Sequence, residues 1–321
     1  VKIDAHIHYR CAEPPAVAVL DEEDVKTFNI CVAAYDPGSD ERTRAWREQA
    51  EDYRRFSQAR PDRYAWCASF DLPRPDENPA AYADKAIASL ERDFADGALA
   101  CKVWKNIGME AKKADGSWLQ IDDPIFTPIF ESLERMGKPL LMHIGEPLAC
   151  WQPIVEGRPH AGYYKANPQW HMHGKEGVLH HRDHIRARDN VVERHPGLKI
   201  VGAHFGSLEY DLDEVAKRLE RYPNFAVDTS ARMWDAACQD SGKVRDFFAR
   251  YRDQVLWGTD FVYPAGAKDC AAAVARYREV LHRDFQYLES DEPMEFNGTP
   301  TRGLALDSET LDALYRKSAR R

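Results

Sequence analysis

Short apolar runs alternate eight times with longer amphipathic stretches along this chain, and that alternation restricts its fold more than any other feature. An opening strand-like segment at residues 3–8 is followed by the breaker Pro14-Pro15, a helical stretch at 17–29 and a second strand at 30–35. Helical periods at 40–60, 78–94, 125–136, 180–193, 211–221 and 243–250 then alternate with strand-like runs at 63–70, 98–104, 139–144, 199–205, 224–230 and 254–259. Eight such units in 321 residues predict an α/β fold, a (β/α)8 TIM barrel forming a single domain over 1–321. A doubly wound open sheet competes, but no glycine-rich phosphate loop follows the first strand to support it.

In a barrel the C-terminal strand ends form one ring, where the active sites of this fold gather. Side chains alternate along a strand, so His6 and His8 share one face of the first strand about 7 Å apart, and Asp4 is expected on the same face. The same parity turns Lys102 and Trp104 inward from the fourth strand, His143 from the fifth, and Gly202 and His204 from the sixth, with Val201, Ala203 and Phe205 toward the helices. Asp228 and Ser230 follow from the seventh strand, Gly258 and Asp260 from the eighth. A single strand-end histidine is more often a satisfied core residue. Five histidine and aspartate positions (His6, His8, His143, His204 and Asp260) converging on one mouth point instead to a metal site for Zn²⁺, Mn²⁺ or Fe²⁺.

Two connections exceed the usual length. Residues 145–179 carry Glu146, Trp151, His160, Tyr163, Tyr164, Trp170, His171 and His173, an aromatic insertion expected to act as a lid over the site. The other, residues 106–123, holds Trp118 near its tip. Arg10, Lys102 and Arg232 are candidate cations for a substrate carboxylate, with Trp104, Glu146 and Trp151 as further lining. For Arg10 and Arg232 a salt bridge to the abundant acids is the alternative, and Lys105 reads as helix-facing or solvated. A net charge of −9 argues against a nucleic-acid or anionic-membrane partner. No apolar run approaches the roughly 20 residues of a membrane span, so the expected partner is a small-molecule substrate. Seven cysteines without paired spacing fit reduced, buried thiols in a cytoplasmic protein; because the chain starts at Val1, an export signal would lie outside it.

An ordered set of motifs runs through the chain: Ile3-Asp4-Ala5-His6-Ile7-His8, Leu141-Met142-His143-Ile144-Gly145, Lys199 to Gly206 around His204, Phe225 to Ser230 around Asp228, and Leu256 to Pro264 around Asp260. With these it resembles the amidohydrolase superfamily, in the amidohydrolase-related (amidohydrolase 2) branch that includes aminocarboxymuconate-semialdehyde decarboxylase, resorcylate-type decarboxylases and pyrone-dicarboxylate lactonase. The resemblance implies His6, His8, His143 and Asp260 as ligands of one divalent metal, Zn²⁺ first and Mn²⁺ second. It implies His204 as catalytic acid/base or an additional ligand, and Asp260 as proton carrier. The reaction implied is hydrolysis of a lactone or amide in a small carboxylated, cyclic or aromatic substrate by metal-activated water. Non-oxidative decarboxylation of a hydroxybenzoate- or muconate-like acid is the alternative, and a non-catalytic metal-binding barrel ranks last. Some superfamily members carry a carboxylated lysine on strand four; in a one-metal branch Lys102 is expected as an unmodified ammonium. The family is commonly oligomeric, which implies a homo-oligomer. Ser318 stands where the family's closing helix usually has asparagine.

Overall fold

Helix starts follow the local capping chemistry, and strands fall where short apolar runs separate them. The computed structural model describes residues 1–34, 40–263 and 270–320. The first half runs β1 (Lys2–Tyr9), α1 (Pro14–Glu22), β2 (Val25–Ile30), α2 (Asp40–Ala59), β3 (Tyr64–Ala68), α3 (Pro79–Ala95), β4 (Ala100–Val103), α4 (Asn106–Met109), α5 (Thr127–Arg135) and β5 (Leu140–Met142). The second runs α6 (Ala161–Ala166), α7 (His181–Arg194), β6 (Ile200–Gly202), α8 (Ala203–Gly206), α9 (Leu212–Arg221), β7 (Phe225–Asp228), α10 (Met233–Ala237), α11 (Ser241–Arg250), β8 (Val255–Leu256), β9 (Val262–Tyr263), α12 (Cys270–Glu289), the hairpin β10 (Pro293–Phe296) and β11 (Thr299–Arg302), and α13 (Ser308–Asp312). Asn78 caps α3 by accepting from the amides of Ala80 and Ala81, with Pro79 in the first turn; Asp211, Asp240 and Asp307 cap α9, α11 and α13 in the same way.

The main sheet is parallel, in the order β8-β7-β6-β5-β4-β3-β2-β1-β9. Residues 255–263 act as one strand that changes partner: β8 pairs with β7, and β9 pairs with β1. Between the two halves the Ala5 amide donates to the Trp257 carbonyl at 3.0 Å, and the Asp260 amide donates to the His6 carbonyl at 2.7 Å. The sheet therefore closes on itself, and the fold is the expected (β/α)8 TIM barrel. After α13 the chain passes under the closure, where the Trp257 amide donates to the Leu314 carbonyl and Ser318 Oγ donates to the Arg252 carbonyl at 2.7 Å.

Apolar side chains fill two layers. Inside the ring Phe28, Ile30, Cys67, Ala100, Leu141 and Val201 form a small plug, while a far larger cluster lies between strands and helices and buries Trp46, Trp66 and Trp257 completely. Each fully buried Leu or Phe contributes roughly 1.5–3 kcal/mol. Stability therefore resides mainly in the outer layer, and the ring above the plug is free to carry polar groups. All seven cysteines are unpaired thiols, five of them buried, and among the described residues no helix is long and apolar enough to cross a membrane.

Four expectations need correction. Helix α1 ends at Glu22 and the strand begins at Val25, because Asp24 turns the chain with φ 51° and Val25 to Ile30 then fit the register of β1 and β3. Of the expected strand at 30–35 only its first residue belongs to β2, and Tyr35, like Pro264, lies outside the described residues. Asp4 does not share the face of His6 and His8: the register slips between Asp4 and Ile7, a bulge that turns the Asp4 carboxylate toward α12. There it accepts from the Thr259 amide (2.9 Å), Thr259 Oγ1 (2.6 Å) and the Tyr277 hydroxyl (3.0 Å). The parity of β6 is also reversed. Val201 enters the plug and Gly202 faces the helices, where a Cβ would stand 2.6 Å from Phe225 Cζ. Helix α12 and the β10–β11 hairpin have no counterpart among the sequence-derived elements.

Asp284 on α12 ties that helix to the seam, accepting from Trp257 Nε1 at 3.2 Å. Burial pushes its carboxyl up to about 6, against the opposing pull of Arg283 and Trp257. The folded state thus keeps a proton that the unfolded chain loses near pH 4, so this group's stabilisation is present below pH 4 and fades as pH rises to 6. Asp284→Asn should remove that slope, gaining on the wild type by up to about 3 kcal/mol between pH 4 and 7. Denaturant midpoints measured across this range check it; parallel profiles would contradict it.

A candidate metal centre at the strand ends

Each polar group at the barrel mouth is aimed by the backbone just beyond its strand. Asp228, at the end of β7, is completely buried. Its Oδ2 lies 2.9 Å from His6 Nδ1, and its Oδ1 accepts from the amides of His204 (2.9 Å) and Ser230 (3.1 Å) and from Ser230 Oγ. Burial alone would raise this carboxyl, but the flanking imidazoles and Ser230 outweigh it and hold it well below the ordinary carboxylate range. An ionised Asp228 accepts the Nδ1 proton of His6, so His6 presents the Nε2 lone pair to the mouth.

A second chain of tautomers runs through the other two histidines. Although β6 has reversed parity, His204 reaches the mouth because the chain leaves Gly202 through left-handed residues, with φ 60° at His204 and 53° at Phe205. His204 Nδ1 stands 2.7 Å from the Ser230 carbonyl, which only accepts, so the proton is on Nδ1. His204 Nε2 then accepts from His143 Nδ1 at 3.2 Å. Burial is the first cause, and neighbouring positive charge the second, of pKa values well below normal for both rings, which are therefore neutral. The chain ends on His143 Nε2, a buried lone pair with no hydrogen-bond partner.

His6, His8 and Asp260 bring three ligand atoms within 4.8 Å of one another. Asp260 Oδ1 is 3.6 Å from His6 Nε2 and 3.4 Å from His8 Nε2. Burial would raise the Asp260 carboxyl, but the His8 hydrogen bond and the imidazole ring hold it well below the usual range. These donors, with the orphaned His143 Nε2 nearby, fit one divalent ion of the Zn²⁺ or Mn²⁺ type. His143 itself lies outside the tight triplet, facing His204. Lys102 sits among these candidate donors, its Nζ 2.9 Å from His6 Nε2. Burial lowers its pKa, partly countered by Asp260 and Asp228, so this amine and an ion compete for one lone pair.

The remaining candidates separate clearly. Arg10 takes the salt-bridge alternative, with Nε 2.5 Å from Asp52 Oδ2 on α2. Glu146 is engaged by Lys105 Nζ and by the Tyr164 hydroxyl at 3.0 Å, which makes it a buried anchor of the insertion. Trp151 donates to the Leu179 carbonyl and packs against His181 and His184, closing the base of the insertion. Trp104 meets Trp170 edge to face at 5.3 Å, in a cluster with Met109, Cys150, Tyr164 and Met172 that gives 145–179 its own core. Arg232, by contrast, is buried with Nε unbonded, and no ion pair is formed by it among the described residues. Its charge acts on His143, His204 and Lys105.

Lys105 is the residue that the strand pattern misjudged. It is buried, bonded to Glu146 and, at 2.8 Å, to the Tyr163 hydroxyl, with its Nζ 4.2 Å from the Trp170 ring centre. Burial brings its pKa down to about 7. The parity rule stops at Val103 and gives no direction for a residue beyond it; the density of aromatics in 145–179 was the available signal.

Comparison with known proteins follows the same line. A family model described as amidohydrolase matches residues 3–321. No curated protein matches the chain in sequence. Similar solved structures include a TIM-barrel protein of Bordetella bronchiseptica described as uncharacterised (15% identity, TM-score 0.57, covering 100% of this chain and 97% of the other). A 2,6-dihydroxybenzoate decarboxylase is similar at 16% identity and TM-score 0.55 over 97% and 87%, and 4-oxalomesaconate hydratase of Rhodopseudomonas palustris at 16% and 0.54 over 100% and 95%. At these identities the likeness is one of fold.

Asp228→Asn keeps the size of the side chain but removes the charge that orients His6. Metal affinity should fall about 10- to 100-fold with the fold retained, since partners of metal-ligating histidines have effects of that size. Metal titration monitored beside circular dichroism checks this; unchanged affinity would show that Asp228 does not set the His6 tautomer.

Proposed function

The chain belongs to the amidohydrolase family, which makes it a metal-dependent hydrolase or lyase, and from that premise we propose that it hydrolyses a lactone or amide bond in a small carboxylated, cyclic or aromatic substrate. The observation that carries this reading is the meeting of His6, His8 and Asp260 at the barrel mouth, with the buried guanidinium of Arg232, which forms no ion pair among the described residues, acting on the histidines behind them. His6, His8, Asp260 and His143 would hold a divalent ion, which would supply Lewis acidity and make water at the mouth a nucleophile near neutral pH. Asp260, held ionised and a quarter exposed, accepts the proton of the attacking water and returns it to the leaving group. Arg232 holds the substrate carboxylate, for which its planar fork is suited. His204 stands behind His143 with both ring nitrogens engaged, so direct proton transfer from it to substrate requires the His143 contact to open.

One observation favours a second reading. Trp104, Trp170, Tyr163 and Tyr164 form an aromatic cluster, a surface suited to a flat substrate ring, and such a ring suits a carboxy-lyase acting on a hydroxybenzoate- or muconate-like acid. In that case Asp260 takes a proton from water and delivers it to the ring carbon as CO₂ leaves.

Incubating the metal-loaded protein with a panel of lactones and with hydroxybenzoates and muconates separates the two, since ring opening marks the hydrolase and CO₂ the lyase. Binding without turnover of any member would remove both. On whichever substrate turns over, Asp260→Asn should cost at least about 10²-fold in kcat, and near-native turnover would eliminate Asp260 as proton carrier. Arg232→Met should raise KM for carboxylated substrates about 10- to 100-fold, the loss of one charge-assisted pair, and leave their uncharged esters unaffected.

A further inference from the structure

A second cluster of ligand-type side chains lies where the 145–179 insertion meets the barrel. His160 comes from the insertion, Glu209 follows the turn after β6, and Asp235 is on α10. One ligand atom from each lies within 4.8 Å of the other two, and His160 Nε2 is 2.8 Å from Asp235 Oδ1. None of the three belongs to the centre built on His6, His8 and Asp260.

Two further observations point to a ligand there. Glu209 is 1% exposed; one of its oxygens accepts from the Leu148 amide at 3.3 Å, and the other, Oε2, has no hydrogen-bond partner among the described residues. Asp235 Oδ2 is likewise buried and unbonded. The protein thus holds two carboxylates side by side with an orphaned oxygen on each, and among the described residues no Lys or Arg forms an ion pair with either. The field of Arg232 reaches Glu209, but the two form no ion pair among the described residues. Burial first, and the Asp235 charge second, push the Glu209 carboxyl up to about 8, as expected for two acids sharing a site without a counter-ion. His160 is kept neutral chiefly by burial, so it has a nitrogen to offer. Its backbone is left-handed, φ 70°, which turns the ring from the start of α6 toward α10. A cavity of about 160 Å³ lined by His160, Asp235 and Trp234 gives an ion a way in.

We propose that His160 Nε2, one oxygen of Glu209 and one of Asp235 form a second divalent-cation site, for Zn²⁺ or Mn²⁺, which pins the insertion to the barrel. One imidazole and two carboxylates are a donor set that these ions accept. Ligand atoms around a tetrahedral ion at about 2.1 Å stand about 3.4 Å apart. The observed spacing reaches that by small side-chain rotations, in which the ion replaces the proton between His160 and Asp235. The ion takes up both orphaned oxygens and discharges the repulsion between the acids. It also cross-links a segment that carries Tyr163 and Tyr164 to the strand ends, so occupancy sets how firmly the mouth is covered.

The test uses the full chain, stripped with chelator and dialysed against Zn²⁺, with bound metal counted by atomic emission. Wild type should hold two equivalents, His160→Ala and Glu209→Gln one each, and His8→Ala one. Hydrogen exchange across 145–179 should slow on Zn²⁺ addition in wild type and in His8→Ala, and stay unchanged in His160→Ala. Circular dichroism guards against misfolding of the buried Glu209 variant, and His160→Ala, within the insertion, leaves the barrel core intact. If His160→Ala binds as much Zn²⁺ as wild type, or if the single equivalent in wild type is lost in His8→Ala alone, the second site is refuted while the strand-end centre stands. Loss in His160→Ala with none in His8→Ala supports the second site and removes the first.

Discussion

The Asp228 carboxylate is enclosed on every side, with His6 on one oxygen and two backbone amides and Ser230 on the other. The rest of the mouth takes its shape from that arrangement. Because Asp228 accepts from His6 Nδ1, the other nitrogen of His6 faces the ligands; because it accepts from the His204 amide, the left-handed turn after β6 is held in place. Residues in that backbone region cost of order 1–3 kcal/mol each outside glycine. The strand ends carry several, at His204, Phe205, Ser207, Ala231 and Asp260, and the hydrogen bonds to Asp228, Thr259 and His6 offset them. A carboxylate of low pKa at the base of the ring thus acts as both an electrostatic and a backbone constraint.

Those turns explain how side chains from strands of different parity meet at one point. His143 follows the simple alternation of β5, two residues after Leu141, whereas His204 stands three residues after the inward Val201 and is rotated back to the mouth by its own φ. Asp260 is a third case: its φ of 58° lies at the break between β8 and β9, where the strand leaves β7 and joins β1. The Asp260 carboxylate is placed by the same bend that completes the ring.

Much of this was legible in the sequence, for physical reasons that also mark where legibility stops. Apolar periodicity over stretches of ten or more residues reports burial directly, so helices at 40–60 and 78–94 and the eightfold alternation emerge within a residue or two of α2 and α3. Motifs at strand ends place His6, His8, His143, His204, Asp228 and Asp260 in one ring, and the structure brings them together. Parity fails wherever one residue is added or one φ changes sign. The bulge after Asp4 and the turn at His204 are such events, and neither alters composition or period. Side-chain partners of long range were equally hidden: the short strand-like run before residue 105 says nothing of Glu146 and Tyr163, which reach Lys105 from 41 and 58 residues away. Helix α12 is amphipathic, but it follows the eighth βα strand and adds nothing to the alternation that marks the barrel.

The change of partner within residues 255–263 bears on the order in which this protein can be built. His6 and Asp228 are 222 residues apart, and Asp4 and Thr259 are 255 apart. Domains emerge from the ribosome with the N-terminal end first, so β1 waits with its histidines exposed until the last strand has been synthesised. Contacts between such distant residues carry the largest loop-closure cost in the chain. Any ion that His6 meets earlier finds neither Asp228 to orient the ring nor Asp260 to complete the set. The proposed centre is therefore a product of the final folding step, and metal bound there would report a folded barrel.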